Sequence, residues 1–167
     1  MLHRPALAFG MLALTCLATT PSHAQGGRDS ADLQQRSAEL SRSYLRTWSA
    51  RGNAALAHVP QLYAPKIRFY GRLVDRRTLL REKQAFVRRW PLRNYAHRPG
   101  TIRVACDGPA ARCTVRSVID WTAASPARRA LSQGSSRFEQ GIAFSDSRPA
   151  VVSEGGAVIS QRRMKRS

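Results

Sequence analysis

Three carboxylates lie in segments where apolar and polar residues alternate, as they do in β-strands: Asp120, Glu139 and Glu154. A carboxylate inside an apolar cavity can abstract a proton from a substrate or activate a water molecule. Alternation places Asp120 and Glu139 opposite their apolar neighbours, whereas Glu154 shares a side with Val152 and Val158. Glu154 and, less readily, Asp120 are therefore the candidate general bases. The alternative for each carboxylate is a structural salt bridge to one of the many arginines.

Lys83 interrupts the apolar face of a predicted helix, four residues after Leu79 and three before Phe86. Its ammonium group either extends to solvent at the rim of the domain, or reaches a carboxylate or an anionic ligand in a pocket. A buried ammonium group needs a partner of opposite charge, and Glu154 is the expected partner. In a catalytic site, Lys83 or Tyr70 would polarise the substrate.

Other motifs of catalysis and metal binding are missing from the sequence. His58 and His97 are isolated, with neither an HxxxH spacing nor an acidic neighbour, which favours structural roles and gives no metal site. The chain has no GxSxG motif, no Walker loop and no GxGxxG motif. Neither a triad hydrolase nor a nucleotide-binding domain is therefore indicated, and we expect no cofactor.

The amino terminus has the pattern of a secretory signal peptide over residues 1–24. Arg4 precedes an uncharged, mostly apolar run over residues 6–18, and Ser22-His23-Ala24 supplies small residues at the peptidase positions. The apolar run is too short to cross a bilayer, and no later run is long enough. The mature chain is therefore predicted to lack a transmembrane segment and to be exported, either to the periplasm or out of the cell.

The chain is strongly basic, with 28 lysines and arginines, 10 acidic residues and a formal net charge of +18. Such a surface attracts anions over a Debye length of about 8 Å at physiological salt. Nearly all the basic residues are arginines, which together with abundant alanine also indicates a bias toward GC-rich codons. An exported protein seldom meets nucleic acid. We therefore expect anionic envelope components, such as lipid head groups or acidic glycans, rather than nucleic acid as partners.

Cys106 and Cys113 flank a six-residue turn segment, and Cys16 lies in the predicted signal peptide. An even pair of cysteines in an oxidising compartment is expected to form a disulfide, with free thiols as the alternative. If Cys106 faces Cys113 across an antiparallel pair, then Val104 lies opposite Val115 and all four side chains share one apolar face. A slip of one residue would move the whole set to the other face. The disulfide and the apolar face therefore require the same register.

Helical periodicity dominates the first half of the mature chain, and a period of two dominates the second half. The expected helices cover residues 31–50, 54–63 and 75–90, the expected strands cover 67–70, 93–106, 113–123, 130–144 and 150–159, and a polar leader (25–32) and a basic disordered tail (161–167) flank the domain. This order indicates an α+β domain in which three helices pack on the concave face of a curved, mainly antiparallel sheet.

Five segments carry a family resemblance: Tyr44 with Trp48, LYAPKIRFYG at 62–71, KQAFVRRWP at 83–91, RNY at 93–95 and VIDW at 118–121. In their order and pattern the chain resembles the nuclear transport factor 2-like superfamily over residues 33–160. The resemblance implies a cystatin-like cone, in which a bent sheet wraps around the helices and leaves a pocket. The superfamily includes isomerases, dehydratases, epoxide hydrolases, transport adaptors and members without known activity, so the fold alone does not transfer a function.

The pocket implied by this resemblance would be lined by aromatic rings and one lysine: Tyr44, Trp48, Tyr70, Lys83, Trp90 and Trp121. The alternative for these rings is a role in the core. We expect non-catalytic binding of a small apolar or amphipathic ligand, or of an envelope partner, in the pocket. The alternatives are a cofactor-independent lyase, isomerase or hydrolase that uses a pocket carboxylate, and an electrostatic adaptor to anionic envelope surfaces. The resemblance also allows a homodimer through the exposed sheet face.

Overall fold

The computed structural model describes residues 23–145 and 148–165, with side chains described for 29–145 and 148–164. Within these ranges the helices pack on the concave face of a curved sheet in which β-strands pair mainly antiparallel. The predicted α+β class is confirmed. Cys16 and most of the predicted signal peptide lie outside the described residues, so the signal peptide stays a prediction.

Three helical segments correspond to the three predicted helices. Helix α1 spans His23–Trp48, a 3₁₀ turn at Ala54–His58 leads into the short helix α2 (Val59–Leu62), and helix α3 spans Arg76–Arg89. The first helix begins earlier than predicted, because the polar leader over residues 25–32 belongs to α1. Adding turns to an existing helix costs much less than starting one, so apolar residues are not needed there. Within the described ranges, none of the helices is long and apolar enough to cross a membrane.

Helix α3 positions Lys83 in the interior. The backbone N–H of Thr78 donates to Asp75 Oδ1 at 2.6 Å, so Asp75 caps the helix as the sequence predicted. Leu79, Lys83 and Val87 then form a buried stripe at intervals of four residues. The side chain of Lys83 therefore points toward the sheet.

Seven strands form one sheet with the order β2-β1-β7-β6-β5-β3, and β4 also pairs with β5. They are β1 (Tyr63–Phe69), β2 (Arg72–Asp75), β3 (Leu92–His97), β4 (Arg103–Asp107), β5 (Arg112–Ser125), β6 (Ala130–Ser145) and β7 (Arg148–Lys165). Strands β1 and β7 form a parallel pair. The single strand predicted over 93–106 is two strands on the same edge of β5. Pro99 lacks an N–H group and Gly100 has a φ of +72°. The hydrogen-bond ladder along β5 is therefore interrupted between β3 and β4.

The β4–β5 hairpin has the register that the cysteines required. Cys106 faces Cys113 and Val104 faces Val115, and the two sulfurs are bonded. Along β5 the side chains of Cys113, Val115 and Ile119 are buried. The predicted disulfide and the predicted apolar face therefore occur together.

Helix α1 forms one wall of the interior. Tyr44, Leu45 and Trp48 lie in the core, each less than 5% exposed. Ser37 and Ser41, on the same helix, are completely buried, and such small side chains let a helix backbone approach a sheet closely. The large side chains near the carboxyl end of α1 also line the cavity described below.

The prediction of a disordered tail over residues 161–167 is wrong for residues 161–165. Strand β7 continues to Lys165, and residues 161–165 pair with residues 130–134 of β6. Strand β6 is long, and its backbone N–H and C=O groups need partners whatever side chains the neighbouring strand carries. The side chains of residues 161–164 are exposed, which explains their polar composition.

His97 joins α1 to the sheet and should make stability depend on pH. Its Nε2 and Nδ1 atoms lie 3.3 Å from Ser41 Oγ and 2.8 Å from Ser117 Oγ, and burial lowers the pKa of the ring. Because an unfolded chain protonates histidine near pH 6.5, the unfolded state binds more protons than the folded state just below that pH. The free energy of unfolding should therefore fall as the pH is lowered through about 6.5, and level off below the lowered pKa.

We expect H97N to remove this fall, measured by urea unfolding between about pH 5 and pH 7.5. His58 is exposed, so H58N serves as the matched control and should keep the wild-type slope. If the free energy of unfolding depended equally on pH in the wild type and in H97N, the His97 ring would be protonated equally well in the folded and the unfolded state.

Candidate functional site

A cavity of about 610 Å³ lies between the concave face of the sheet and helices α1 and α3. Aromatic rings form most of its wall, and all six residues predicted to line a pocket lie on it: Tyr44, Trp48, Tyr70, Lys83, Trp90 and Trp121. Tyr70 and Val158 also line the cavity and are 56% and 61% exposed, so they mark its mouth. The volume is within the ordinary range for small-molecule sites.

Glu154 lies in the cavity wall with its carboxylate held by donors of this chain. Tyr44 Oη donates to Glu154 Oε2 at 2.5 Å, and Tyr63 Oη donates to the same atom at 2.8 Å. Lys83 Nζ donates to Oε1 at 3.0 Å and to Oε2 at 3.2 Å. The predicted contact between Lys83 and Glu154 is therefore present, and both side chains are buried. The alternative in which Lys83 extends to solvent is wrong.

Four aromatic rings surround the ammonium group of Lys83. Lys83 Nζ lies 4.6 Å from the centroid of the Trp48 ring and 4.9 Å from that of Phe69. The centroids of Tyr63 and Tyr44 lie 5.8 Å and 5.9 Å away. Ring faces attract a cation, more strongly where water is excluded. The charge of Lys83 is therefore satisfied inside the domain, by one carboxylate and by these rings.

The tyrosine hydroxyl groups around Glu154 are neutral donors. Burial, followed by the charge of Glu154, raises the pKa of Tyr44 and Tyr63 well above the usual value. The same two causes raise the pKa of Tyr70 to about 12. The Tyr44 and Tyr63 hydroxyl oxygens lie 2.7 Å apart. The two phenols and the carboxylate therefore form one connected hydrogen-bond network.

Strand β7 fixes Glu154 between two neighbouring strands. Its Cα partners are Gln140 in β6 and Phe69 in β1, and the backbone N–H of Tyr70 donates to the Glu154 carbonyl at 2.8 Å. Tyr70 and Gly71 both have positive φ angles, +46° and +83°, in the turn that leads to β2. The carboxylate is thus carried by a strand inside the sheet rather than by a loop.

Neither a protein-family model nor a curated protein sequence matches the chain, but solved structures match its fold. A putative scytalone dehydratase from Novosphingobium aromaticivorans superposes with a TM-score of 0.65 at 9% identity, over 81% of this chain and 90% of that one. A nuclear transport factor 2-like superfamily protein from Salmonella enterica gives 0.65 at 12% identity, over 78% and 93%. An uncharacterized protein with a cystatin-like fold from Caulobacter vibrioides gives 0.61 at 12% identity, over 79% and 91%. This chain has the nuclear transport factor 2-like fold.

Asp120 and Glu139 lie on the outer face of the nuclear transport factor 2-like cone. Arg98 donates to Asp120 at 2.6 and 3.1 Å, and Arg116 donates to Glu139 at 2.7 Å. The hydrogen bonds from Arg98 hold the pKa of Asp120 below its usual value. The candidate role of Asp120 as a buried base is therefore wrong, because strand alternation directs its side chain away from the cavity. The salt-bridge alternative holds for both residues.

Tyr63 is the member of the network that the sequence pattern does not predict. Helical periodicity places it at the end of the second helix, whereas it is the first residue of β1. Pro65 carries a usable signal, because a proline disfavours helical backbone at the residue before it. The second helix must therefore end before Ala64, and Tyr63 begins a strand instead. Its ring then lies in the core of the nuclear transport factor 2-like fold.

Around Glu154, in the inner part of the cavity, the described residues offer few free polar groups. No three His, Cys, Asp or Glu side chains among them lie close enough together to hold a metal ion. The buried ammonium group, carboxylate and phenols already bind one another. A molecule in the inner part of the nuclear transport factor 2-like cone would therefore mainly contact aromatic rings.

Proposed function

We propose that this domain is a non-catalytic binding protein that holds a small apolar or amphipathic molecule in its cone cavity. The observation that carries the proposal is that donors of the chain itself already bind the buried carboxylate. Glu154 accepts hydrogen bonds from Lys83, Tyr44 and Tyr63. A general base must be directed at a proton of the substrate, and here donors of the chain itself occupy that position.

The wall of the cavity supports an apolar guest. Trp48 of α1 lies on the helix side, and Phe69, Trp121 and Phe138 line the cavity from strands of the sheet. Apolar surface removed from water contributes about 25 cal/mol per Å², and aromatic walls supply this contact without further polar groups. An enclosed ring or chain of moderate size is therefore the favoured guest.

Filling the cavity should abolish binding. Ser136 faces Ile119 across β5 and β6 and lines the cavity, so S136W would place an indole where the guest lies. We expect the affinity for N-phenyl-1-naphthylamine, a neutral fluorescent probe, to fall by at least about tenfold, the loss expected when apolar contacts worth more than about 1.4 kcal/mol are removed. The measurement is a fluorescence titration.

The matched control places the same side chain on the other face of the sheet. Thr122 is exposed on β5, and T122W should bind the probe like the wild type. Both variants should retain a cooperative thermal unfolding transition. If S136W and T122W both bound the probe as tightly as the wild type, the probe would bind outside the cavity, and the proposal would be contradicted.

A second candidate is a lyase, isomerase or hydrolase that needs no cofactor. One observation favours it: Tyr44, Tyr63 and Lys83 converge on a carboxylate in a cavity wall, and such groups can move protons. Proton abstraction would exchange the α-protons of 2-decanone for deuterium in D₂O, and E154Q would stop the exchange. The binding function predicts exchange at the buffer rate in both proteins.

We also propose that the chain is exported, on the basis of the signal-like residues 1–24. The bond between Cys106 and Cys113 supports export, because disulfides persist mainly in oxidising compartments. Mass spectrometry of protein expressed in a bacterial host with an outer membrane should find the periplasmic form beginning at Gln25. A full-length chain retained in the cytoplasm would contradict export.

A further inference from the structure

We infer that the guest is a single-chain amphiphile with an anionic headgroup, and that Arg89, Arg128 and Arg163 bind this headgroup. The inference rests on the proposed binding function and adds the chemical class of the ligand. Arg89 and Arg163 line the cavity, and Arg128 lies beside Trp90, which also lines it. Together they mark the end of the cavity away from Glu154. The apolar chain would lie along the aromatic wall between the two ends.

A bulge in β7 turns Arg163 toward the cavity. Val158 pairs with Ser136 and Ser160 pairs with Ser135, so Ile159 is an extra residue in β7. Beyond such a bulge the alternation of side chains reverses. Arg163 consequently lies on the concave face, where it lines the cavity. Without the bulge, its guanidinium group would be on the outer surface of the cone.

Trp90 brings two further guanidinium groups to the same end. The ring of Trp90 lines the cavity, and its centroid lies 6.0 Å from Arg89 Cζ and 5.6 Å from Arg128 Cζ. Both distances are within the range of a cation–π contact. These contacts place the two guanidinium groups beside the ring and leave their N–H groups available. Such N–H groups bind carboxylate and phosphate groups in a bidentate manner.

These three positive charges have no carboxylate partner among the residues that the structure describes. Two acidic residues line the cavity, and each is already paired. Glu154 binds Lys83, and Glu82 accepts from Arg72 at 2.8 Å. The outer end of the cavity is therefore positively charged, and an anion bound there would neutralise it.

The two ends are far enough apart along β6 to leave room for an alkyl chain between them. Glu154 lies opposite Gln140 in β6, and Arg163 lies opposite Ser132. These β6 positions are eight residues apart, about 26 Å along the strand at roughly 3.3 Å per residue. The interior surface between them includes Phe138. A compact anion such as acetate would reach the arginines but leave this apolar surface exposed to water.

The test compares dodecanoate with dodecanol as competitors of N-phenyl-1-naphthylamine. The two competitors differ only in the headgroup, and we expect dodecanoate to bind at least about tenfold more tightly, because a charge-assisted hydrogen bond contributes at least this factor. In the variant R89Q/R128Q/R163Q this preference should be lost, so that dodecanoate and dodecanol compete with similar affinity. In the control R51Q/R77Q/R112Q, the same number of charges is removed at exposed positions that do not line the cavity, and the preference should persist.

The outcomes separate the inference from the function on which it rests. Binding of the neutral probe and of dodecanol without a preference for dodecanoate would overturn the inference and leave the binding function intact. Failure of all three to bind would remove the binding function itself. If both triple variants lost the preference for dodecanoate equally, the preference would be due to net charge, and the inference would be overturned. A preference for dodecanoate without competition by lauroyl lysophosphatidylglycerol supports the inference and identifies a fatty acid as the source of the anionic headgroup. Competition by both supports the inference and identifies a phospholipid as a source.

Discussion

Replacing Lys83 by methionine is expected to lower the free energy of unfolding by about 3–5 kcal/mol. Methionine keeps most of the volume of the lysine stem, but it leaves the carboxylate of Glu154 buried without the ammonium group that lies 3.0 Å away. Tyr44 and Tyr63 remain as donors, so the carboxylate keeps two hydrogen bonds and loses its counter-charge. Domains of this size have a total stability of about 5–15 kcal/mol. K83M should therefore be among the most damaging single substitutions in the chain.

Two further variants make the test specific for the buried pair. Lys66 is exposed on β1, so K66M removes the same charge with an expected change within about 0.5 kcal/mol. The double variant K83M/E154Q should recover part of the loss, because glutamine still accepts from the tyrosines and carries no charge. Urea unfolding provides the free energies. Equal stability of K83M and K66M would mean that Glu154 does not depend on Lys83.

Replacing Gly156 by alanine is expected to lower the free energy of unfolding by about 3 kcal/mol or more. A Cβ atom at this position would lie 2.1 Å from the carbonyl oxygen of Arg137, and the φ angle is +156°. The obstacle is backbone of the neighbouring strand, which cannot move without breaking the β6–β7 ladder. Gly156 lines the cavity two residues from Glu154, so probe binding should weaken as well.

The preceding residue provides the control for this substitution. A Cβ atom on Gly155 would have no neighbour within 4 Å, and G155A should change the stability by less than about 1 kcal/mol. Thermal and urea unfolding of the two variants give the comparison. If G155A were as damaging as G156A, the close approach of β7 to Arg137 would not be the cause.

The parts of the fold that could be predicted are those for which two local constraints agree. The register of β4 and β5 follows from Cys106 and Cys113, because the disulfide and the apolar face demand the same pairing. The start of α3 follows from Asp75, a residue type suited to capping. The contact between Lys83 and Glu154 follows from charge: a lysine on an apolar face needs a carboxylate, and the chain has few.

The parts that could not be predicted depend on neighbours far away in sequence. The bulge at Ile159 is a mismatch between β6 and β7 and leaves no pattern in either strand alone. The same is true of residues 161–165, whose polar side chains suggested a free tail although the backbone of β6 pairs with them. Strand β2 is only four residues long. Its place is set by the turn at Tyr70 and Gly71, so periodicity over so few residues could not identify it.

The most direct test of the central claim, that the cone cavity is the binding site, is a crystal structure of the protein soaked with 12-bromododecanol. This neutral ligand does not depend on the arginines, and its bromine atom can be located by anomalous scattering. We expect one strong peak inside the cavity, among the rings of Trp48, Phe69, Trp121 and Phe138. A peak confined to the outer face of the sheet, or none in crystals soaked at a saturating concentration, would contradict the claim.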